Sequence, residues 1–367
     1  MNPMSNTKNV MFKPHAVQTP DGFETAWQSP SNIALVKYWG KIGNQIPMNP
    51  SISMTLDTSV TRTAVRARKK DKPGSNVQLR YIFDGKENPD FQARVLALLR
   101  SLDDELAFLK DYALEIDSSN TFPHSAGIAS SASSMSALAL CLLSIENVAG
   151  KKKSNIHSFL KKASHIARLG SGSASRSVYG GFVLWGKSSV IPKSGDHFAI
   201  PLPVKIHPVF DGMRDSILVI DQGEKPVSSR SGHEKMDQHP FKKGRIMQAG
   251  QNLQLIAGAL NTGNWEMFSR VVENEALTLH GLMMSSHPGF LLIQPNTLKA
   301  IEKISTFRNQ TKTKITYTLD AGPNLHVLYP QEDSSLVQQF IHGELAAYCH
   351  NNYVIHDQIG RGPHPIS

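Results

Sequence analysis

Apolar positions change period several times along the chain, and those changes mark its elements. Asn32 to Trp39, Ser51 to Leu56, Val60 to Arg66 and Val77 to Phe83 are apolar and partly alternating, which predicts strands of one antiparallel or mixed sheet. Phe91 to Lys110 carries Val95, Leu96, Leu98, Leu99, Leu102 and Leu106 at helical spacing with charges opposite, so a helix should cover that sheet. Tyr112 to Ile116 predicts another strand, Ser131 to Ala149 a buried helix, and Ser154 to Leu169 an amphipathic helix with Ser154 as N-cap. The lysines at 151–153 then make a solvated turn between those helices. After a strand at Phe182 to Trp185, the proline-rich piece from Pro201 to Pro208 marks a domain boundary. Ser216 to Cys349 follows in the order strand, long helices, strand, turn, strand, helix. The expected division is a loose arm over residues 1–20, an α+β domain over 21–205 and a second α+β domain over 206–367. From Asn351 onward no usable motif stands out.

Composition narrows the class without naming it. A chain of 367 residues with 40% hydrophobic content supports two domains, each with its own core. The net charge of +9 favours an anionic partner, whether phosphorylated metabolites, nucleic acid or an acidic membrane surface. Cys141 and Cys349 lie in apolar, helix-like stretches without a second cysteine at metal-ligand spacing, which fits a reduced, cytoplasmic compartment. The first twenty residues do not read as a signal peptide, and the apolar window Met135 to Val148 falls short of the roughly 20 residues a bilayer requires. A soluble protein is expected.

The chemistry begins at Thr121 to Leu142, TFPHSAGIASSASSMSALALCL, where Pro123, Gly127, Ala129, Ser130 and Ser131 precede an apolar helix. Small residues there let backbone N–H groups and the positive end of the helix dipole face an anion, most simply nucleotide phosphates. A tightly packed Ser/Ala helix with a glycine turn reads equally well from these residues alone. No Gly-Lys-Ser/Thr follows, so this is not a Walker A loop. The segment resembles the phosphate loop of the superfamily of galactokinase, homoserine kinase, mevalonate kinase and phosphomevalonate kinase. That likeness implies ATP contacts by the loop, with Ser130 or Ser131 near the phosphates and Ser130 a candidate for the Mg²⁺. His124 and Ser125 depart from the usual Thr and Ala.

Four further strings narrow the resemblance to the diphosphomevalonate decarboxylase family. SPSNIALVKYWGK at 29–41 sets Lys37, Tyr38 and Lys41 in one short strand and turn, with donors that suit a diphosphate. IPMNPSISMTL at 46–56 follows, although Pro50 replaces a small polar residue. IARLGSGSASRSVYGGFVLW at 166–185 combines a close-approach loop containing Ser171, Ser173 and Ser175 with Arg176, whose guanidinium suits a carboxylate. YTLDAGPNLHVLY at 317–329 ends a strand at Asp320 beside a glycine turn. KPVSSRSG at 225–232 and ENEALTLHGLMMSSHPGF at 273–290 are weaker matches, and His280 in the latter reads as a packed helix residue.

The resemblance implies a two-domain α+β fold of the GHMP-kinase kind with its active-site cleft between the domains, homodimers, and ATP with Mg²⁺ as cofactors. It implies Asp320, Arg176 and Lys37 as catalytic residues. Asp320 would orient or deprotonate a tertiary C3 hydroxyl for phosphorylation, and Arg176 would hold the C1 carboxylate that departs as CO₂. Lys37, Tyr38, Lys41, Ser175, Ser229 and Arg230 would face substrate, the lysines, Tyr38 and Arg230 at its diphosphate. Pro123, Gly127, Ala129, Ser130, Ser131, Ser171 and Ser173 would face ATP. The rival expectations are a monophosphate decarboxylase or a mevalonate 3-kinase and, more remotely, a non-catalytic RNA-binding protein. The last would need basic and aromatic residues interleaved on one sheet face, and none is seen.

Overall fold

The computed structural model describes residues 15–74, 76–123, 128–152, 154–223 and 229–366, with side chains in the last stretch from Gly232 onward. The first half begins with β1 (Val17–Thr19) and β2 (Gly22–Val36), a short hairpin β3 (Lys41–Ile42) and β4 (Ile46–Pro47), and β5 (Ser51–Lys69). It continues with β6 (Leu79–Phe83), β7 (Lys86–Glu87), α1 (Pro89–Ser101), β8 (Tyr112–Asn120), α2 (Ser130–Ala149), α3 (Ile156–Gly170), β9 (Phe182–Trp185) and β10 (Ala199–Pro201). The second half comprises β11 (Arg214–Leu218), α4 (Ser229–Lys235), α5 (Lys242–Thr262), α6 (Trp265–Met284), α7 (Pro295–Thr311), β12 (Thr316–Leu319) and β13 (Leu325–Tyr329). It ends with α8 (Ser334–Phe340), β14 (Val354–Gln358) and β15 (His364–Pro365).

The large sheet runs β1-β2-β5-β8-β6-β7, antiparallel except for β6 with β8; β9 also joins β5, and β15 joins β2. The second sheet, β12-β13-β11-β14, is antiparallel throughout. One core lies between the large sheet and α1, α2 and α3. Another joins Ile33, Leu35, Ile52 and Met54 of that sheet to Leu253, Ile256, Val271 and Val272 of α5 and α6, and to Ile217 and Leu328 of the second sheet. α5 and α6 therefore tie the two sheets together.

Small residues let α2 approach the large sheet closely. Ser136 Oγ accepts from Ser29 Oγ at 2.7 Å, Ser144 Oγ accepts from Trp27 Nε1 at 3.0 Å, and Ser133 bonds Thr61 at 2.6 Å. By length and apolarity α2 passes as a membrane span, longer than the sequence window led one to expect, but 89% of it is buried inside the protein, as befits a core helix.

Three local expectations change. The strands expected at 51–56 and 60–66 are one strand, β5, interrupted by a bulge: Asn32 pairs with Thr55 and Pro30 with Val60, so Leu56 to Ser59 have only Ser31 opposite them. The bulge's N–H groups at Asp57, Thr58 and Ser59 donate to the Asp357 carboxylate at 2.9, 2.9 and 2.7 Å. The helix expected at 91–110 ends at Ser101, and a 3₁₀ turn (Ala107–Lys110) follows. The N-cap of α3 is Asn155, which accepts from Ser158 N at 2.8 Å, while Ser154 Oγ accepts from Asn147 Nδ2.

The motif-poor tail is built into both sheets. β14 pairs with β11, and β15 returns to pair with β2 at Gln28 and Trp27. Between them Gly360 threads so tightly that a Cβ there would stand 2.0 Å from the Leu56 carbonyl oxygen.

Candidate active site

β2 loses its sheet partner after Val36, and the next residue turns inward. Lys37 is 1% exposed; its Nζ donates to Ala34 O at 2.6 Å and to Asp320 Oδ1 at 2.8 Å. Asp320 stands where β12 gives way to a turn, closed by Gly322 N donating to Asp320 O at 2.7 Å, and His280 Nε2 lies 3.1 Å from that same carbonyl. The Asp320 side chain keeps 28% of its surface exposed, so a buried ammonium anchors a carboxylate that still reaches solvent. Burial lowers the Lys37 pKa, and the Asp320 charge opposes that shift.

Arg176 follows the 3₁₀ turn Gly172–Ser175 and is buried. Its Nε donates to Ser53 Oγ, and Nη1 donates to Ser51 Oγ at 2.7 Å. Ser51 and Ser53, two apart on β5, share a face, and that alternation is the signal from which both were detectable. Burial lowers the Arg176 pKa to about 10, against the raising effect of Asp320 and Tyr38. Ser175, expected at substrate, is fully buried and donates to Gly172 O at 2.8 Å, so its hydroxyl holds the turn. Gly172 is needed because a Cβ there would come within 2.9 Å of Tyr38 Oη.

The Tyr38 ring lies 4.7 Å from Trp185 and 4.3 Å from His233, a residue that motif reading passed over. His233 Nδ1 accepts from Gly40 N at 3.0 Å, so the neutral ring carries its proton on Nε2. Burial, then Lys41 and Arg176, press its pKa down to about 3. Lys41, at the start of the small hairpin, thus shares a neighbourhood with His233, Tyr38 and Arg176.

The serine-rich loops converge nearby. Ala129 precedes α2 with φ of 43°, Ser130 Oγ accepts from Asn120 Nδ2 at 2.8 Å, and Ser131 Oγ lies 3.3 Å from Ser171 Oγ. Ser173 contributes its carbonyl to Asn32 Nδ2 at 3.3 Å, and Pro123 is half-buried ahead of the loop. The first turn of α2 has no acidic residue, so its N-terminus and the two hydroxyls fit an anion such as a nucleotide's phosphates. Among the described residues no three of His, Cys, Asp or Glu gather as a metal cage, so these loops suit a cation that arrives with those phosphates. Gly127, His124 and Ser125, and the side chains of Ser229 and Arg230, lie outside the described residues.

Behind Lys37, Arg245 of α5 and Glu275 of α6 form a buried bidentate ion pair with both contacts at 2.7 Å. A cavity of 610 Å³ lined by Phe241, Arg245, Gln248 and Leu282 opens beyond that pair, but Lys37, Arg176 and Asp320 do not line it.

Residues 29–196 match the model of the diphosphomevalonate decarboxylase-like N-terminal domain, and residues 216–362 match that of the mevalonate 5-diphosphate decarboxylase C-terminal domain. The diphosphomevalonate decarboxylase of Eremothecium gossypii is 30% identical over 329 residues, covering 85% of this chain and 79% of that relative. The chain belongs to the diphosphomevalonate decarboxylase family. Its Ganoderma lucidum relative is 29% identical over 336 residues, covering 87% of this chain and 81% of the relative. Among solved members of the family, mevalonate diphosphate decarboxylase from Staphylococcus aureus superimposes with a TM-score of 0.80 at 26% identity, covering 94% of this chain and 98% of that one. A complex of MDDEF with MVAPP, AMPPCP and magnesium gives 0.79 at 27%, covering 94% and 99%. The fold is therefore the α+β, GHMP-kinase-like fold of this family.

Proposed function

We propose that the chain carries out ATP-dependent decarboxylation of (R)-5-diphosphomevalonate to isopentenyl diphosphate, with ADP, phosphate and CO₂ as the other products, in the mevalonate pathway of isoprenoid biosynthesis. The observation that carries this reading is the buried Lys37 ammonium bonded to a partly exposed Asp320 carboxylate, with Arg176 close enough to feel the Asp320 charge. Bound ATP and Mg²⁺ supply the phosphoryl group and screen its charge; Ser130, Ser131, Ser171 and the first turn of α2 would hold them.

Asp320, hydrogen-bonded by the Lys37 ammonium, orients the tertiary C3 hydroxyl and accepts its proton as phosphorylation turns it into a leaving group. Lys37 thus belongs at the reacting end of the substrate, not at its diphosphate. Arg176, held by Ser51 and Ser53, directs its remaining donors at the C1 carboxylate, which leaves as CO₂. Tyr38, Lys41 and Arg230 take the diphosphate, whose binding energy aligns the reacting end. Ser175 keeps the Arg176 turn in shape. The working form in this proposal is a cytoplasmic homodimer that engages neither nucleic acid nor membrane.

The test is incubation of the purified protein with ATP, Mg²⁺ and, in parallel, mevalonate, its 5-phosphate and its 5-diphosphate. CO₂ release with the 5-diphosphate is the expected result. Release only with the 5-phosphate, or ADP formation without CO₂, would replace the proposal with the monophosphate decarboxylase or the 3-kinase respectively.

A further inference from the structure

The main chain of Lys37 lies beyond the last ladder pair of β2, so its peptide groups must find partners elsewhere. They find them on two helices of the other half. Lys37 N donates to Glu275 Oε2 at 2.8 Å, and Lys37 O accepts from Arg245 Nη2 at 2.9 Å and from Asn49 Nδ2 at 2.9 Å. Glu275 is fully occupied: Oε1 takes Arg245 Nη1 at 2.7 Å and Asn252 Nδ2 at 2.6 Å, and Oε2 takes Arg245 Nη2 as well as Lys37 N. Glu275 is 0% exposed and Arg245 3%. A fully desolvated ion pair adds little to stability compared with apolar residues of the same volume, so orientation is the better account of its presence.

We propose that Glu275 and Arg245 are positioning residues for the reaction: they clamp both peptide groups of Lys37 and so fix where its ammonium meets Asp320. The inference rests on the decarboxylase reading for its kinetic consequences and on the hydrogen bonds alone for its structural ones. Neither residue touches substrate in this scheme. Each acts through Lys37.

The charged groups around Lys37 come from every element packed on it: Asp320 after β12, Glu275 on α6 with Arg245 of α5 behind it, Arg176 after α3, and Asp215 of β11 farther off. Glu275 and Asp320 raise the Lys37 pKa, and Arg176 lowers it. Removing the Glu275 charge therefore moves Lys37 deprotonation to lower pH.

The experiment compares Glu275→Gln with Glu273→Gln, a control two residues away on α6 that removes the ion pair to Arg308 without touching Lys37. For Glu275→Gln, kcat for CO₂ release should fall by about 10²-fold, as for other misplacements of a reacting group. The KM for ATP should stay near wild type, and the basic limb of the kcat profile should move to lower pH. Glu273→Gln should lose stability and keep the wild-type limb. Should Glu275→Gln not fold, the double variant Glu275→Gln/Arg245→Met, which leaves no unpaired buried charge, takes its place with the same expected outcome. In parallel, NMR titration of the Lys37 ammonium in lysine-labelled protein, assigned with Lys37→Arg, should show a lower pKa in Glu275→Gln and no change in Glu273→Gln. A wild-type kcat with an unmoved limb and an unmoved Lys37 titration would overturn the proposal. A wild-type protein that releases no CO₂ would overturn the decarboxylase reading instead, and the NMR comparison would still decide this one.

Discussion

Lys37 and Asp320 meet from positions 283 residues apart, and most of the proposed chemistry depends on that contact. Asp320→Asn keeps the size of the side chain and the turn through Gly322 but cannot take a proton. Turnover should fall by about 10²–10⁴-fold while ATP affinity, measured by titration, stays within a few-fold of wild type. Rapid ADP formation without CO₂ in that variant would move Asp320 to the elimination step. Arg176→Lys replaces a planar fork, two of whose nitrogens are already held by Ser51 and Ser53, with a point charge; kcat/KM should drop by a factor equivalent to about 1.5–3 kcal/mol. Wild-type kinetics there would remove Arg176 from the site. His233 adds a pH signature. Above about pH 6.5 it is neutral folded or unfolded, whereas between 6.5 and about 3 the unfolded chain takes a proton that the folded chain refuses. Its share of stability is thus lost as pH falls, by up to about 1.4 kcal/mol per pH unit. His233→Gln should flatten that slope in urea midpoints measured at pH 7 and 4.5, and an unchanged slope would mean that the ring is not sequestered. Asp320, Arg176 and Lys37, which the fold brings near one another, were singled out in the sequence because each sits in a string whose neighbours restrict its setting. His233 and Glu275 were not, since what distinguishes them is a partner brought in from far along the chain, whereas Ser51 and Ser53 left a signal in their alternation on β5.

At the scale of elements, local forces set several helix boundaries. Asn88 and Asn264 cap α1 and α6 by accepting from Phe91 N and Met267 N, and Gly263 ends α5 with φ of 80°. The misreading of β5 has a different origin: Asp57-Thr58-Ser59 has the composition of a turn, and it stays within one strand because the Asp357 carboxylate accepts its three N–H groups. Asp357→Ala would leave those donors, the buried Ser59 N–H among them, without their acceptor. Urea unfolding should show a loss of about 1.5–3 kcal/mol, and a loss under half a kilocalorie would mean that water replaces the carboxylate. Serine chemistry misled in the other direction at α3, where Ser154 and Asn155 both qualify as caps and the register of Asn147 decides between them.

For the molecule as a whole, the succession of strands and helices was readable from periodicity, because each helix face and strand face follows its own burial, while the α+β fold followed from the resemblance. How the halves join was not readable. That depends on α5 and α6 lying between two sheets and on a tail with no periodic signal of its own. The tail also orders events in time. During synthesis Gln28 appears early, yet its neighbour His364 arrives only after every other strand has been made, and the β5 bulge waits as long for Asp357. A nascent chain therefore carries an unsealed edge and three unbonded amides in its first sheet through nearly the whole of translation. The enzyme's vulnerability to aggregation should accordingly peak on the ribosome, before release, and not in the finished fold.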